Sequence, residues 1–452
     1  MTTAANPRTQ PFSGYHNRRA AFAPSPLAET GAGTPGGEYL RRYWHPIMLQ
    51  SELKDLPVAI RILGEDLVIF RDRGGRIGLL HKNCIHRGAS LEFGIVQERG
   101  IACCYHGWHF DVDGAVLSTP AEPATSKISS NFCQGAYPVH EAHGLIFAYM
   151  GPPEDKPVFP ELDTFAHPGG NELIPIKMRL PCNWLQVVEN ACDPIHNAYL
   201  HAIVSGYQFS PAFAAPPALD FIETPLGFLS MATRQVKDKV FIRASDIILP
   251  NVAQFASGQN PAEEECFNIA CSFTRWVVPI DDENSFYTGL THVNERTDPE
   301  GTRDPSLYGV DKMNFIGQTA DRPYEERQLQ PGDYDALVSQ GAVADRNNEH
   351  LGTTDRGIVM FRRMLRRAID AVQNSETPEL PRLYDDGPVR TYNYELVFGL
   401  PSQSNIDGLG ALEEFGRRAT QVVLDTDALP PLERERVSRE RILRLLSEEL
   451  VR

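Results

Sequence analysis

Two short ligand pairs constrain this chain more than any other feature: Cys84-x-His86 and Cys103-x-x-His106. Sixteen residues, 87 to 102, separate them. Each pair places one thiol and one imidazole in a single tight loop. Two such loops facing each other can hold a two-iron, two-sulfur cluster, with both cysteines on one iron and both histidines on the other. The chain must then leave as a hairpin and return, and Gly88, Gly94, Gly100 and Gly107 supply the turn residues. The same ligand set also makes zinc sites. Zinc frameworks pair Cys with Cys and His with His along the chain. Here each pair is mixed, which favours the cluster. Cys104, next to Cys103, is an extra thiol for which the pattern offers no role.

A chain of 452 residues is longer than one ordinary domain, so two are expected. Around the ligand pairs, short strand-like runs at 58–63, 66–71, 77–80, 108–112 and 144–151 alternate with turn residues. They predict a small all-β domain over 39–155, behind a polar, Gly- and Pro-rich lead-in at 1–38. Pro152, Pro153, Pro157 and Pro160 mark a linker. The second region, 160–452, begins with helical spacing at 183–190 and continues with strands at 239–243, 247–249, 266–278 and 285–292. Beyond 300 the chain reads as polar and then helical. Ile358, Phe361, Leu365, Ile369 and Val372 share a helix face, with Thr354 as its cap. Arg362, Arg363, Arg366 and Arg367 on that helix are expected on a solvated or subunit-facing surface. A charged outer helix follows at about 430–451. The fold class is α+β.

A second constellation lies at 189–201, ENACDPIHNAYLH. Asp193, His196 and His201 put a carboxylate and two imidazoles within nine residues. Two histidines and one carboxylate form the facial triad of non-haem Fe(II) oxygenases. His196 and His201 are five residues apart and would diverge by about 140° on an ideal helix. They converge only on an irregular one, such as a π-bulge.

The net charge of −16, without a basic block, argues against nucleic acid or an anionic membrane as partner. No apolar run reaches the roughly 18 residues of a membrane span. The N-terminal residues lack the apolar core of a signal peptide. The six cysteines outside the cluster motif show no disulfide framework and read as reduced thiols of a cytoplasmic protein.

Together, the segments CIH, CCYHGW, GLIFAYMGPP and NWLQVVENACDPIHNAYLH resemble the oxygenase (α) component of Rieske non-haem iron ring-hydroxylating oxygenases. QGAVADRNNEHLGTTDRGIVMFRRMLRRAI resembles the phthalate-dioxygenase-like branch, and the likeness spans about 40 to 375. The resemblance implies a Rieske [2Fe–2S] cluster on Cys84, His86, Cys103 and His106, and a mononuclear Fe(II) on His196 and His201. Its third iron ligand is a distant acid opening a helix ahead of Gln340-Gly341, which favours Asp333 over Asp335. The family has Gln or Glu before that acid, and Gly332 departs from it. Asp193 would then be a catalytic bridging acid, linking His196 of one subunit to His106 of the next.

The implied fold is a Rieske β domain plus a helix-grip catalytic domain, an antiparallel sheet covered by helices. The implied assembly is a homotrimer or a hexamer of stacked trimers. Electrons from NAD(P)H would arrive through a flavin/iron–sulfur reductase, or a reductase plus ferredoxin. No Gly-x-Gly-x-x-Gly fingerprint follows a strand here, so NAD is not expected to bind this chain. The expected reaction uses O2 to hydroxylate an aromatic substrate, an aromatic carboxylate by the branch resemblance, through cis-dihydroxylation. Monooxygenation or O-demethylation is the alternative, and a plain electron carrier a remote one. Arg234 and Arg243 lie in strand-like stretches, compatible with facing a substrate carboxylate or with facing solvent.

Overall fold

The computed structural model describes residues 6, 9–17, 20–23, 25–123, 125–166, 170–206, 208–313, 315–376, 388–400 and 408–448. The end of the 430–451 helix therefore lies partly outside the described residues.

The N-terminal strands are short because turn residues interrupt them. Val58–Ile62, Glu65–Arg71, Ile77–His81 and Ala136–Tyr137 form one antiparallel sheet. Leu63 and Gly64 both take positive φ in the first turn, the left-handed pair that suits a tight hairpin. Trp44–Leu49, Leu145–Tyr149 and Val139–Ala142 form a second sheet. A third consists of Ile95–Val96, Ile101–Ala102, His109–Phe110 and Val116–Ser118. This third sheet holds the hairpin that the ligand spacing demands. Its turn contains Gly100, at φ 75°, where a Cβ would lie 2.0 Å from the Phe110 carbonyl oxygen. Val68, Phe70, Leu80, Leu91, Ile101, Trp108 and Phe110 pack a small core beneath the loops.

The lead-in packs on the chain's own catalytic half. Leu27 and Ala28 are buried, and the Ala28 carbonyl accepts from Asn183 Nδ2 at 2.9 Å. Thr34 caps the short helix Pro35–Leu40.

In the catalytic half, nine strands among the described residues form one antiparallel sheet. They are β1 (Glu172–Leu180), β2 (Ala218–Thr224), β3 (Gly227–Val236), β4 (Lys239–Ile248), β5 (Val252–Phe255), β6 (Cys266–Asn268), β7 (Phe273–Pro279), β8 (Ser285–Val293) and β9 (Tyr394–Gly399). The order is β1-β8-β7-β5-β4-β3-β2, with β9 paired to β4 and β6. Two predicted strands, 239–243 and 247–249, are one strand, and the predicted 266–278 run is split in two. β9 lies where only helices were expected. A short apolar run such as YELVF does not reveal its period, so the strand was not legible there.

The helices that matter are α1 (Trp184–Ala191), α2 (Asp333–Val338), α3 (Arg356–Gln373), α4 (Gly408–Leu424) and α5 (Pro431–Glu448). Alternation along the sheet decides what each face does. Leu229, Met231, Val240, Ile242, Leu396 and Phe398 turn toward Leu412, Phe415, Ala419 and Val423 of α4 and toward Ile442 and Leu445 of α5. The opposite face is left for a cavity. The predicted cap Thr354 sits in a preceding 3-10 turn, and α3 starts two residues later. One α3 arginine departs from the surface expectation. Arg362 is half-buried and pairs with Glu189 at 2.6 Å and Glu349 at 2.6 Å, because Glu189 is itself buried on α1. The two halves join through an aromatic contact, with Phe147 5.8 Å from Trp276. No helix among the described residues is long and apolar enough to cross a membrane.

Candidate functional site

The two cysteine–histidine loops have the same backbone construction. Cys84 N–H donates to the Ala89 carbonyl at 2.9 Å, and Cys103 N–H to the Trp108 carbonyl at 2.8 Å. Gly88 and Gly107 return the bond to the respective cysteine carbonyls, both at 2.9 Å, and both take positive φ near 74° and 73°. Cys84 and Cys103 are buried, while His86 and His106 reach toward the surface with ring centroids 4.6 Å apart. His86 stacks flat on Trp108 at 4.3 Å. Burial pushes the Cys84 thiol up to about 11. A thiolate there needs a cation beside it. His86 Nδ1 is buried with no hydrogen-bond partner. The donor set therefore fits a cluster held between the loops. Cys104 is exposed, unlike this pair of buried thiols.

The second site is built on the transition from α1 into irregular helix. Asn183 caps α1 through Leu185 N–H at 3.0 Å. After Asp193-Pro194 the chain winds as a π-helix over Asn197–Val204. Bonding from i to i+5 stacks residues five apart. The His196 and His201 rings accordingly come to 5.1 Å. Asp333, at the start of α2, completes the group. Its Oδ1 is 3.2 Å from His201 Nε2 and 3.8 Å from His196 Nε2, and the three ligand atoms lie within 4.8 Å of one another.

The neighbours hold this geometry. His201 Nδ1 faces Gln208 Oε1 at 2.6 Å, and His196 Nδ1 faces the Asp193 backbone carbonyl, so each ring presents Nε2 inward. Asn190 and Gln318 donate to the two oxygens of Asp333 at 3.1 and 2.8 Å. Burial alone would raise the Asp333 pKa, but His201, His196 and Gln318 hold it well below the usual carboxylate range. An ionised, buried carboxylate between two imidazoles fits a divalent iron.

Asp335 is turned elsewhere, accepting from Arg327 Nε at 2.7 Å and Gly332 N–H at 3.0 Å. Asp193, the nearby acid of the local motif, is not in the group. Its Oδ1 accepts from Ile195 N–H at 2.8 Å, and its Oδ2 lies 3.7 Å from His196 Nδ1. Gly332 also finds its reason, since a Cβ there would meet Gly317 Cα at 2.3 Å.

The triad opens onto a cavity of about 440 Å³. Ser230, Arg234, Arg243, Arg275 and Tyr287 line it from the sheet, and Phe209 and Phe315 from the loops. Both arginines singled out by sequence face inward.

Residues 43–132 match the family described as the Rieske [2Fe–2S] domain. The chain is 48% identical over 389 residues, 82% of each chain, to the tert-butanol monooxygenase / tert-amyl alcohol desaturase oxygenase subunit of Aquincola tertiaricarbonis. It is 38% identical to the phenoxybenzoate dioxygenase subunit alpha of Ectopseudomonas oleovorans, covering 78% of this chain and 86% of that one. Among solved structures, dicamba monooxygenase bound to dicamba shares the fold with a TM-score of 0.54 and 19% identity, covering 75% of this chain and 99% of that one. This chain belongs to the Rieske non-haem iron oxygenases, as an oxygenase (α) component. It carries a Rieske [2Fe–2S] cluster and a mononuclear iron centre, and it uses O2.

Proposed function

We propose that Cys84, His86, Cys103 and His106 hold the cluster, and that His196, His201 and Asp333 hold the mononuclear iron. The observation that carries this reading is the convergence of two neighbouring histidines with Asp333, distant in sequence, at the wall of one cavity. When bound, the two centres supply one-electron transfer and O2 activation. The protein's own part is to fix the ligands. Gln208 and the Asp193 carbonyl set the imidazole tautomers, and Asn190 and Gln318 orient Asp333. Asp193 is the bridging acid toward His106 of the neighbouring subunit in a homotrimer or a hexamer of stacked trimers.

The substrate is an aromatic compound, and the reaction is ring hydroxylation, with cis-dihydroxylation as the leading outcome. The cavity volume suits a molecule of one or two rings. Relatives named for phenoxybenzoate and phthalate support an aromatic carboxylate. Monooxygenation is the second reading, favoured by the monooxygenase name of the 48% identical relative. The electron donor is a flavin/iron–sulfur reductase, alone or with a ferredoxin. Eight unpaired cysteines support a reducing, cytoplasmic setting.

Anaerobic iron and labile-sulfide analysis tests the ligand assignment. The wild-type protein is expected to hold about three irons and two sulfides per chain. Asp333→Asn is expected to lose the third iron and keep the sulfides, while Asp335→Asn keeps all three irons. Retention of the third iron in Asp333→Asn would sink the assignment.

A further inference from the structure

The cavity beside the triad holds more positive charge than its own acids neutralise. Ser230, Ala232 and Arg234 alternate along one face of β3, and Arg243 and Ser245 continue that face on β4. Arg234 is fully buried and Arg243 is 7% exposed. Aromatic rings hold both guanidinium planes. Arg234 lies over Phe213 and Phe241, and Arg243 over Phe209, Phe213 and Phe255. Those rings leave the in-plane N–H groups unspent. Arg234 makes one long bond, to the Ala232 carbonyl at 3.4 Å, and its Nε and Nη2 have no partner. Arg243 gives Nη2 to the Ala256 carbonyl at 2.9 Å, and its Nε has none. Neither forms an ion pair among the described residues.

The acids nearby form no ion pair with either arginine among the described residues. Asp333 serves the histidines. Glu395 sits opposite Arg243 in register on β9; its Oε1 accepts from Asn260 at 2.7 Å, its Oε2 has no hydrogen-bond partner among the described residues, and burial pushes it up to about 7 against the pull of Arg243. Asp298 and Asp304, at the cavity rim, accept backbone N–H groups of their own loop. Burial pulls Arg234 down to about 9 and Arg243 to about 10, so both remain protonated at neutral pH. Two buried forks with free N–H groups and no ion pair among the described residues are the arrangement that recognises a planar anion.

We propose that Arg234 and Arg243 form an anion seat for a substrate carboxylate, so that this oxygenase selects aryl carboxylates over neutral alcohols. The proposal rests on the triad as the oxidising centre. Phe209 sets the spacing, because its ring lies 4.5 Å from the His201 ring and 5.6 Å from Arg243 Cζ. One aromatic ring therefore separates the seat from the triad. A substrate seated by its carboxylate turns the far side of its own ring toward His201.

The test is calorimetric titration of the iron-replete protein under argon with benzoate and 3-phenoxybenzoate. Benzyl alcohol and 3-phenoxybenzyl alcohol serve as uncharged partners. Each carboxylate is expected to bind about tenfold or more tightly than its alcohol. Arg234→Met and Arg243→Met are each expected to lose about tenfold for the carboxylates and to leave the alcohols within about twofold. Arg234→Lys is expected to recover part of the loss. Iron content and the cluster's visible spectrum report whether each variant folds, and the wild-type comparison needs no variant at all. Alcohols binding as well as carboxylates, carboxylates not binding at millimolar concentration, or arginine variants binding unchanged would each overturn the seat. The same titration on Asp333→Asn separates the two readings. Carboxylate binding that survives there, while wild-type protein shows no reductase-dependent O2 uptake, counts against the triad and not the seat.

Discussion

His45 shows how a residue with a metal-ligand side chain can serve the fold instead. It is fully buried between the two halves of the chain. Its Nε2–H donates to the Leu40 carbonyl at 2.7 Å, and its Nδ1 accepts from Asn251 Nδ2 at 3.2 Å. Both ring nitrogens are satisfied only while the ring is neutral. Burial pulls its pKa down to about 4, against the Leu40 carbonyl and helped by Arg41. The unfolded chain takes up this proton near 6.5 and the folded one only near 4. Below 6.5 the unfolded state therefore binds more protons. The stability from this group is complete above about 6.5 and drains away as the pH falls toward 4, by about 3 kcal/mol across the window. His45→Gln is expected to melt lower than wild type at pH 7.5 and to show a shallower fall in Tm between pH 7.5 and 5. Parallel Tm–pH curves for the two proteins would refute this account. His45 also shows why sequence stops short at this scale, since its partner Asn251 lies 206 positions away.

Among the elements, α3 is placed by a glycine. A Cβ on Gly357 would lie 2.5 Å from the Cys192 carbonyl oxygen and 2.4 Å from the Phe221 ring. This is the point where α3 presses on the end of α1, one residue before Asp193. Alanine is ordinarily the better helix residue, by about 1 kcal/mol. At Gly357 the sign reverses, because backbone cannot yield as a flexible side chain does, and overpacking destabilises by about 1–3 kcal/mol. Gly357→Ala is expected to lower Tm and the iron retained after gel filtration. Gly410→Ala in α4, where a Cβ meets nothing within 4 Å, is expected to hold or raise Tm. A Gly357→Ala protein melting at or above wild type would remove the argument. Elements were legible in sequence where spacing forces geometry. The five-residue interval between His196 and His201 demanded an irregular helix, and the structure has a π-helix there. Where only periodicity spoke, it gave less. It could not tell the ion-paired Arg362 from its solvated neighbours, nor which strand face Arg234 and Arg243 occupy. β9 joins the sheet through non-local pairing with β4 and β6, which no local pattern announces.

At the scale of the whole molecule, each centre has an exposed apolar fringe. Ile85, Phe93 and Tyr105 surround the cluster loops, and Tyr199, Ile203 and Val204 stand on the π-helix beside Asp193. Apolar side chains gathered at a functional surface mark a face that another surface covers. In the proposed ring, the cluster of one subunit meets Asp193 of the next. Asp193→Asn keeps the shape and removes the charge. It is expected to retain iron, sulfide and oligomeric state, while re-oxidation of the reduced cluster slows by roughly 10–100-fold. A subunit-mixing experiment then asks where the electrons cross. Cys84→Ser chains keep the triad without the cluster, and Asp333→Asn chains keep the cluster without the triad. Each alone is expected to be inactive. In trimers assembled from both, an intact cluster lies beside an intact triad only across a subunit boundary. Mixing is therefore expected to restore a fraction of the O2 uptake and of the cluster re-oxidation rate. If mixed trimers form, as native mass spectrometry would show, and neither rate returns, electrons travel within one chain and the bridging role of Asp193 falls with that result.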